Sequence, residues 1–219
     1  MHIHLPKGNL KSIRGFLLEL FTITCGILIA ISLESMMESI HHRNLLNEAR
    51  GNILSEMRDN HRILDSSIKN IPDELAMLRK VISLCMQERA RRGSVDLRKV
   101  KNLNLGFTGF AISSNSWNTA QSIGAVGLMN YEEIKKYTSV YEIQSLTTSL
   151  HQQTLDKWLQ LQRIEILLTG KTNLKDFSDN DLADIERTAG EAYSFTSTLL
   201  QAGQSLTNKY DQILVSSEE

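Results

Sequence analysis

The sequence Phe16-Leu-Leu-Glu-Leu-Phe-Thr-Ile-Thr-Cys-Gly-Ile-Leu-Ile-Ala-Ile-Ser-Leu33 decides how the rest of this chain is organised. Glu19 is its only charged residue, and no other segment is so continuously apolar. Because a helix rises about 1.5 Å per residue, this segment would span roughly 27 Å, close to the hydrocarbon thickness of a bilayer. We therefore predict a transmembrane helix over residues 15–33.

Charges are distributed asymmetrically around this segment. Basic residues precede it and acidic residues follow it: Lys7, Lys11, Arg14, Glu34 and Glu38. Since lysine and arginine concentrate on the cytoplasmic side of a membrane span, we predict that residues 1–14 lie in the cytoplasm. The rest of the chain would then lie outside.

Two other interpretations of the apolar segment are open. A cleaved signal peptide is one, because Ala30-Ile-Ser32 is a tolerable small-x-small cleavage site after a basic start. The length of the apolar run and Glu19 within it favour the transmembrane helix instead. A buried amphipathic core helix is the other, and it is disfavoured because the run has no polar face of any width.

The composition suits long helices in a chain with one exterior domain. Only two prolines, Pro6 and Pro72, occur among 219 residues, and glycine is modest. The formal net charge of −1 argues against a dedicated nucleic-acid binder, which normally has a strong basic excess. The two cysteines, Cys25 and Cys85, are too far apart to be expected to pair, so no disulfide framework is predicted.

Beyond the apolar segment, apolar residues recur at heptad-like spacing. Their separations are sevens, or threes and fours in alternation: Leu46, Ile53, Met57, Leu64, Ile68, Ile71, Leu75, Leu78, Ile82 and Cys85. Arg50 and Asn60 interrupt this seam as polar members, and Pro72 does not shift its phase. We predict that the membrane helix continues into one stalk helix over residues 34–92, which is bent near Pro72 and is not split into two helices by a reversal of the chain there.

A linker and a short helix are predicted next. Glycine, charge and isolated apolar positions are mixed over residues 93–111, which is typical of a linker. Residues 112–219 would form the remaining helices of the exterior bundle. The first is short, begins at Ser114 or Asn115 and ends at Gly124 or Gly127. Its inner face would consist of Trp117, Ala120 and Ile123.

Two long helices complete the prediction. Asn130 would cap the first, whose middle, residues 144–154, is rich in serine, threonine and glutamine and is expected to pack loosely or face water. Ser178 would begin the second helix. Its apolar and small residues are spaced alternately by three and four positions without a break: Leu182, Ile185, Ala189, Ala192, Thr196, Leu199, Gly203, Leu206, Tyr210 and Ile213. The small members would let a neighbouring helix approach closely.

The predicted fold is therefore all-α, an elongated helical bundle with coiled-coil-like seams. An N-terminal transmembrane helix continues into the stalk helix, which packs with two long antiparallel helices and one short helix. The sequence has no GxSxG, no glycine-rich phosphate loop, no HExxH and no paired cysteines. We accordingly predict no enzyme activity, no catalytic residues and no cofactor.

Four residues of the membrane helix are candidates for interaction. Thr22, Gly26 and Ala30 form a stripe of small residues that would let a second helix make contact, either another copy of this chain or another membrane subunit. Glu19 is an ionisable group within the span and could serve a proton path or a partner's cation. The alternative, that it reaches the headgroups from near the cytoplasmic interface, is favoured.

A basic cluster is the second candidate surface. Its members are Arg89, Arg91, Arg92, Arg98, Lys99 and Lys101. It could bind a polyanion or an acidic partner, although a solvated helix end explains the first of them equally well. The histidine pairs His2/His4 and His41/His42 do not have the i, i+4 spacing of a helical metal site, so no metal site is predicted.

Two blocks of the chain resemble a family of short bacterial single-pass membrane proteins that is defined only as a domain of unknown function. The first block comprises Phe16-Leu-Leu-Glu19, Gly26-Ile-Leu-Ile-Ala30 and Leu33-Glu34. The second comprises Ser116-Trp117, Ser122-Ile-Gly124, Leu128 and Tyr131. The resemblance implies an anchor in the bacterial inner membrane, with residues 1–14 in the cytoplasm and an exterior helical domain in the periplasm. It supplies no activity and no catalytic residues. Ser35-Met36-Met37 stands where the family usually has an aromatic residue.

These observations favour a membrane-anchored interaction or scaffold subunit of a bacterial envelope complex. Its partners would be the lipid bilayer and a homo-oligomer or another membrane subunit, and not nucleic acid. The alternative is a periplasmic helical sensor that signals through a separate membrane partner, since the short cytoplasmic segment cannot house an output domain.

Overall fold

The molecule is mainly helical in the part that the structure, a computed structural model, describes: residues 13–91, 106–168 and 178–217. The helices are α1 (Ile13–Ile68), α2 (Ile71–Arg91), α3 (Asn115–Ser122), a 3-10 turn (Ala125–Leu128), α4 (Tyr131–Leu168) and α5 (Asp179–Val215). No strand occurs in these ranges, so the all-α prediction is confirmed. The chain divides into two compact units, residues 1–48 and residues 49–219.

The first unit is described from residue 13 onward, and there it is the N-terminal part of α1. Almost every described side chain between Gly15 and Glu48 is exposed. The large apolar ones from Phe16 to Ile40 are about half to three-quarters exposed, between 50% for Ile40 and 72% for Met37. This is the one helix in the described residues that is long and apolar enough to cross a membrane.

In the second unit, the helix predicted over the stalk is interrupted near Pro72. A turn at Lys69 and Asn70 separates α1 from α2, and the Asp73 and Glu74 amides donate to the Asn70 carbonyl at 3.2 and 3.3 Å. Pro72 therefore lies in the first turn of α2, where its missing N–H is not needed. The segment is thus two successive helices and not the single bent helix that was predicted, with the break two residues before the proline.

The chain does not reverse at this break, as its seam predicted. Both helices run antiparallel to α5. Three pairs mark the register: His61 with Asp211 at 3.0 Å, the ideal Cβ position at Gly203 with Ile68 at 2.8 Å, and Arg89 with Glu186 at 2.7 Å. The predicted α5 seam is buried at all of its positions, from Leu182 to Ile213.

Helix α4 runs parallel to α1 and antiparallel to α5. Arg50 forms a bidentate ion pair with Glu133 at 2.5 and 2.6 Å. Further along α4, the indole N–H of Trp158 donates to the Thr196 hydroxyl of α5 at 2.9 Å. The two long helices predicted to be antiparallel are therefore α4 and α5.

The core at the α2 end of the bundle is built from α2, α4 and α5. Its buried members are Leu78, Val81, Cys85, Trp158, Leu161, Ile185, Ala189 and Ala192. Val81 lies in this core, whereas Ile82, the predicted seam residue, is only partly buried. Ala189 and Ala192 are fully buried, which matches the expected close approach along this helix.

A non-helical return segment, defined here as residues 106–114, leads back along α2 and α1 to α3. The Thr108 amide donates a hydrogen bond to Glu74 of α2, and the Ser113 amide donates one to Asn60 of α1. The segment therefore runs antiparallel to those helices. Trp117 and Ala120 of α3 are buried as predicted. Ile123 is 50% exposed, contrary to the prediction, because the helix ends at Ser122.

Helix ends agree with the predicted caps. Asn130 accepts from the Glu133 amide at 2.9 Å, and Ser178 forms a capping box with Asp181. Gly124 closes α3 with a φ of 76°, a left-handed conformation that favours glycine. The predicted end of the stalk helix at residue 92 lies outside the described residues.

Candidate functional site

The exposed apolar part of α1 is the first candidate site. None of its most apolar eighteen-residue window is buried in the molecule. The Thr22 and Thr24 hydroxyls donate to the carbonyls of Leu18 and Leu20 at 2.8 Å, so neither hydroxyl needs an external acceptor. A helix whose backbone and hydroxyl groups are satisfied internally meets the main requirement for a lipid-exposed segment.

The four predicted interaction residues of this helix share one face. At 100° per residue, Glu19, Thr22, Gly26 and Ala30 fall within an arc of about 80°. All four are exposed, and a Cβ added at Gly26 would meet no atom within 4 Å. The arrangement places a carboxylate in line with the small-residue stripe and leaves the stripe open to a second helix.

The basic cluster lies largely outside the described residues. Arg92, Arg98, Lys99 and Lys101 fall there, and Arg91 is described only as part of the α2 backbone. Arg89 is described, and its guanidinium pairs with Glu186 of α5 at 2.7 Å. Its charge is therefore matched within the bundle, which makes a role in binding a polyanion less favoured for this one residue.

A buried polar layer crosses the bundle, and sequence reasoning missed it. Asn60 holds the Ser113 backbone in both directions, donating to its carbonyl at 2.7 Å and accepting from its amide at 2.8 Å. Gln144 donates to the same carbonyl at 2.7 Å and to the Ser114 hydroxyl at 2.8 Å. Tyr210 donates to Gln144 Oε1 at 2.5 Å.

This layer joins four parts of the chain at one level. Asn60, Gln144 and Tyr210 come from α1, α4 and α5, and each is at most 2% exposed. Burial raises the pKa of Tyr210 above its usual range, so the phenol stays a donor. We predicted that residues 144–154 would pack loosely or face water; this was wrong, because Gln144, Thr147, His151 and Thr154 are buried.

Glu56 extends the layer toward the surface. Its carboxylate accepts from the Tyr141 hydroxyl at 2.8 Å, the Ser113 hydroxyl at 2.9 Å and the Ser116 amide at 2.9 Å. The last bond caps the first turn of α3, which has no cap from the side chain of Ser114. With three donors on it, this carboxylate is a structural acceptor rather than a poised general base.

An open polar cleft of about 400 Å³ borders Glu56 between α1 and the start of α3. It is lined by Asn52, Ser55, Glu56, Asp59, Asn60, Ile63, Ala111, Ser113, Asn115 and Ser116. Asp59 pairs with Arg62 at 3.3 Å. The lining thus offers hydroxyls, carboxamides and carboxylates, but no convergent acid–base pair that is free to react.

The described residues contain no cluster of three or more His, Cys, Asp or Glu side chains that could hold a metal ion. His41 and His42 are exposed neighbours whose ring centroids lie 6.3 Å apart. His2 and His4 lie outside the described residues. Comparisons with protein-family models, with curated proteins and with solved structures found no match to this chain.

Proposed function

We propose that this protein is a single-pass, membrane-anchored interaction or scaffold subunit of a bacterial envelope complex. The observation that supports this most is the N-terminal apolar window, none of which is buried against the rest of the chain. A soluble protein would bury such a helix, because roughly 25 cal/mol is lost for each Å² of apolar surface left in water. An apolar helix of this length is suited to contact with lipid or with another apolar helix.

The flanking charges support one orientation. Lys7, Lys11 and Arg14 precede the span and acidic residues follow it, which favours a cytoplasmic N-terminus and an exterior helical bundle at the inner membrane. The resemblance to the bacterial single-pass family supports the same arrangement. A signal sequence meets the same length and apolarity criteria, so the first experiment is to determine the mature N-terminus and the membrane fraction. Cleavage near Ser32 or release by alkaline carbonate would refute the anchor.

The proposed contact of the anchor is a second helix on the face of Glu19, Thr22, Gly26 and Ala30. Substituting Gly26→Leu should reduce the recovery of a homo-oligomer or of a co-purifying membrane subunit in mild detergent, because the bulky side chain blocks close helix approach. Thr24→Leu is the matched control, since it adds a leucine about 200° away around the helix. Equal assembly of both variants and the wild type would contradict the proposal.

The polar cleft beside Glu56 favours a second candidate, an exterior sensor that acts through a separate membrane partner. Its volume of about 400 Å³ is in the range of small-molecule sites, although it is open to solvent. A bound solute should raise the unfolding temperature, and Ser55→Trp at the cleft should abolish that rise. A scaffold with no ligand would show neither effect.

A further inference from the structure

Two titratable side chains hold the return segment on the bundle through its backbone amides. Glu74 Oε1 accepts from the Thr108 N–H at 2.6 Å, and His151 Nε2 accepts from the Phe110 N–H at 3.3 Å. Both side chains belong to buried residues, 6% and 8% exposed. A backbone N–H can donate a hydrogen bond only to a nitrogen or oxygen with a free lone pair. The bond from the Phe110 N–H to His151 therefore requires a neutral imidazole.

The imidazole of His151 is enclosed by the segment that it holds. Its ring centroid lies 5.4 Å from that of Phe107 and 4.3 Å from that of Phe110. A Cβ added at Gly109 would stand 3.2 Å from Nε2, so the glycine leaves the room that the ring occupies. Because Nε2 is the acceptor, the proton of the neutral ring is assigned to Nδ1.

We propose that residues 106–111 of the return segment form an acid-released strap, docked by neutral His151 and freed when the imidazole is protonated at Nε2, while Ser113 stays on Asn60 and Gln144. The added N–H would point at the Phe110 N–H, so the acceptor is lost and two donors face each other in a buried site. Release would carry Phe107 and Phe110 away from the groove over α4, and would uncover Trp158, whose ring lies 5.8 Å from Phe107.

Few charges oppose this response among the described groups at this level of the bundle. The positions one turn away on α4, Thr147 and Thr154, are uncharged, and so are the buried α5 residues Leu199 and Gly203. From α2 the titratable neighbour of the strap is Glu74. The two phenylalanine rings would attract an imidazolium, which offsets part of the lost hydrogen bond but supplies no acceptor for the Phe110 amide.

The sign of the pH dependence follows from the burial of the ring. Burial lowers the pKa of His151 below its usual 6.5, so the released imidazole binds protons more readily than the docked one. If docking excluded protonation altogether, acidification to pH 5 would favour release by at most about thirtyfold. Burial raises the pKa of Glu74, so its protonation at acid pH relieves a buried charge and does not drive release.

Hydrogen exchange of the full chain in detergent micelles tests the proposal. Protection factors, corrected for the intrinsic pH dependence of exchange, should fall several-fold for the amides of residues 108–111 between pH 8 and pH 5. Amides in the centre of α5 should keep theirs. Unchanged protection of the Phe110 amide over this range would overturn the proposal.

Two variants assign the effect to one group. In His151→Gln, the side-chain amide oxygen can still accept from Phe110 and does not titrate, so the pH response should disappear. His61→Gln is the matched control, because His61 is the other histidine of the second unit, and it should retain the response. A response that survives His151→Gln, or that His61→Gln abolishes, would refute the assignment. If His151→Gln does not fold, the wild-type and His61→Gln measurements decide the question.

Discussion

Gly203 provides a sharp test of the packing between α1 and α5. Substitution to alanine adds one methyl group at a buried position whose ideal Cβ lies 2.8 Å from Ile68 Cγ2 and 3.7 Å from Leu64 Cδ1. Ile68 cannot easily yield, because its β-branched side chain is stiff and the residue ends α1. Gly190, in the same helix, is the matched control, since a Cβ there would meet no atom within 4 Å.

The two substitutions are expected to change the free energy of unfolding in opposite directions. Alanine is favoured over glycine within a helix by about 1 kcal/mol, so Gly190→Ala should stabilise the protein by about 0.5–1 kcal/mol. At Gly203 the same gain is opposed by overpacking, which costs about 1–3 kcal/mol. The free energy of unfolding of Gly203→Ala should therefore be about 1–3 kcal/mol lower than that of Gly190→Ala. For a bundle of this size, that is a gap of about 2–12 °C in unfolding temperature.

The assay is thermal unfolding in a fixed detergent, followed by the fluorescence of Trp117 and Trp158. These are 6% and 1% exposed, and both belong to the second unit, so the signal reports on the bundle. Ile68→Leu moves the branch away from Cβ, so combining it with Gly203→Ala should recover about 1 kcal/mol in a double-mutant cycle. If Gly203→Ala stabilises the protein as much as Gly190→Ala does, the close approach of α1 and α5 is refuted.

Three further changes test other parts of the bundle. Tyr210→Phe removes the 2.5 Å donor to Gln144 and should cost about 1–3 kcal/mol of unfolding free energy in urea titrations; a neutral effect would contradict the polar layer. Because burial raises the pKa of Glu74, the folded state holds that proton to higher pH than the unfolded state, and stability declines as pH rises above 4.5. Glu74→Gln should therefore raise the unfolding temperature more at pH 8 than at pH 4, and an equal shift would oppose this. Burial also raises the pKa of Cys85 to about 11, so in a Cys25→Ser background iodoacetamide at pH 8 should label Cys85 only after denaturation, as read by mass spectrometry; rapid labelling of the folded chain would refute this.

The helical seams were predictable because each is a local pattern. In α5 the residues at threes and fours from Leu182 to Ile213 are all buried, and the caps Asn130 and Ser178 lie where predicted. Such signals depend only on helix periodicity and on backbone groups within one turn. The interaction face of the N-terminal helix stays a prediction, and its four residues are exposed.

The polar layer could not be predicted, because its hydrogen bonds join residues distant in sequence. Gln144 meets Tyr210 at a separation of 66 residues, and Asn60 meets Ser113 at 53. A polar stretch in α4 is indistinguishable from a solvent-facing one until those partners are placed. The available signal was Asn60, a polar residue at a seam position between Met57 and Leu64.

The layer also determines how the helices align. Apolar residues that are spaced alternately by three and four positions repeat every seven residues. A shift of seven residues between α1 and α5 would therefore still pair apolar positions with apolar positions. In such a shifted state the Tyr210 hydroxyl of α5 would lie buried without Gln144, and an orphaned polar group of this kind would cost about 1–3 kcal/mol. The correct register is the one that satisfies both carboxamides, the Tyr210 hydroxyl and the return segment together. We infer that the polar layer selects one alignment from several that the apolar seams alone would permit.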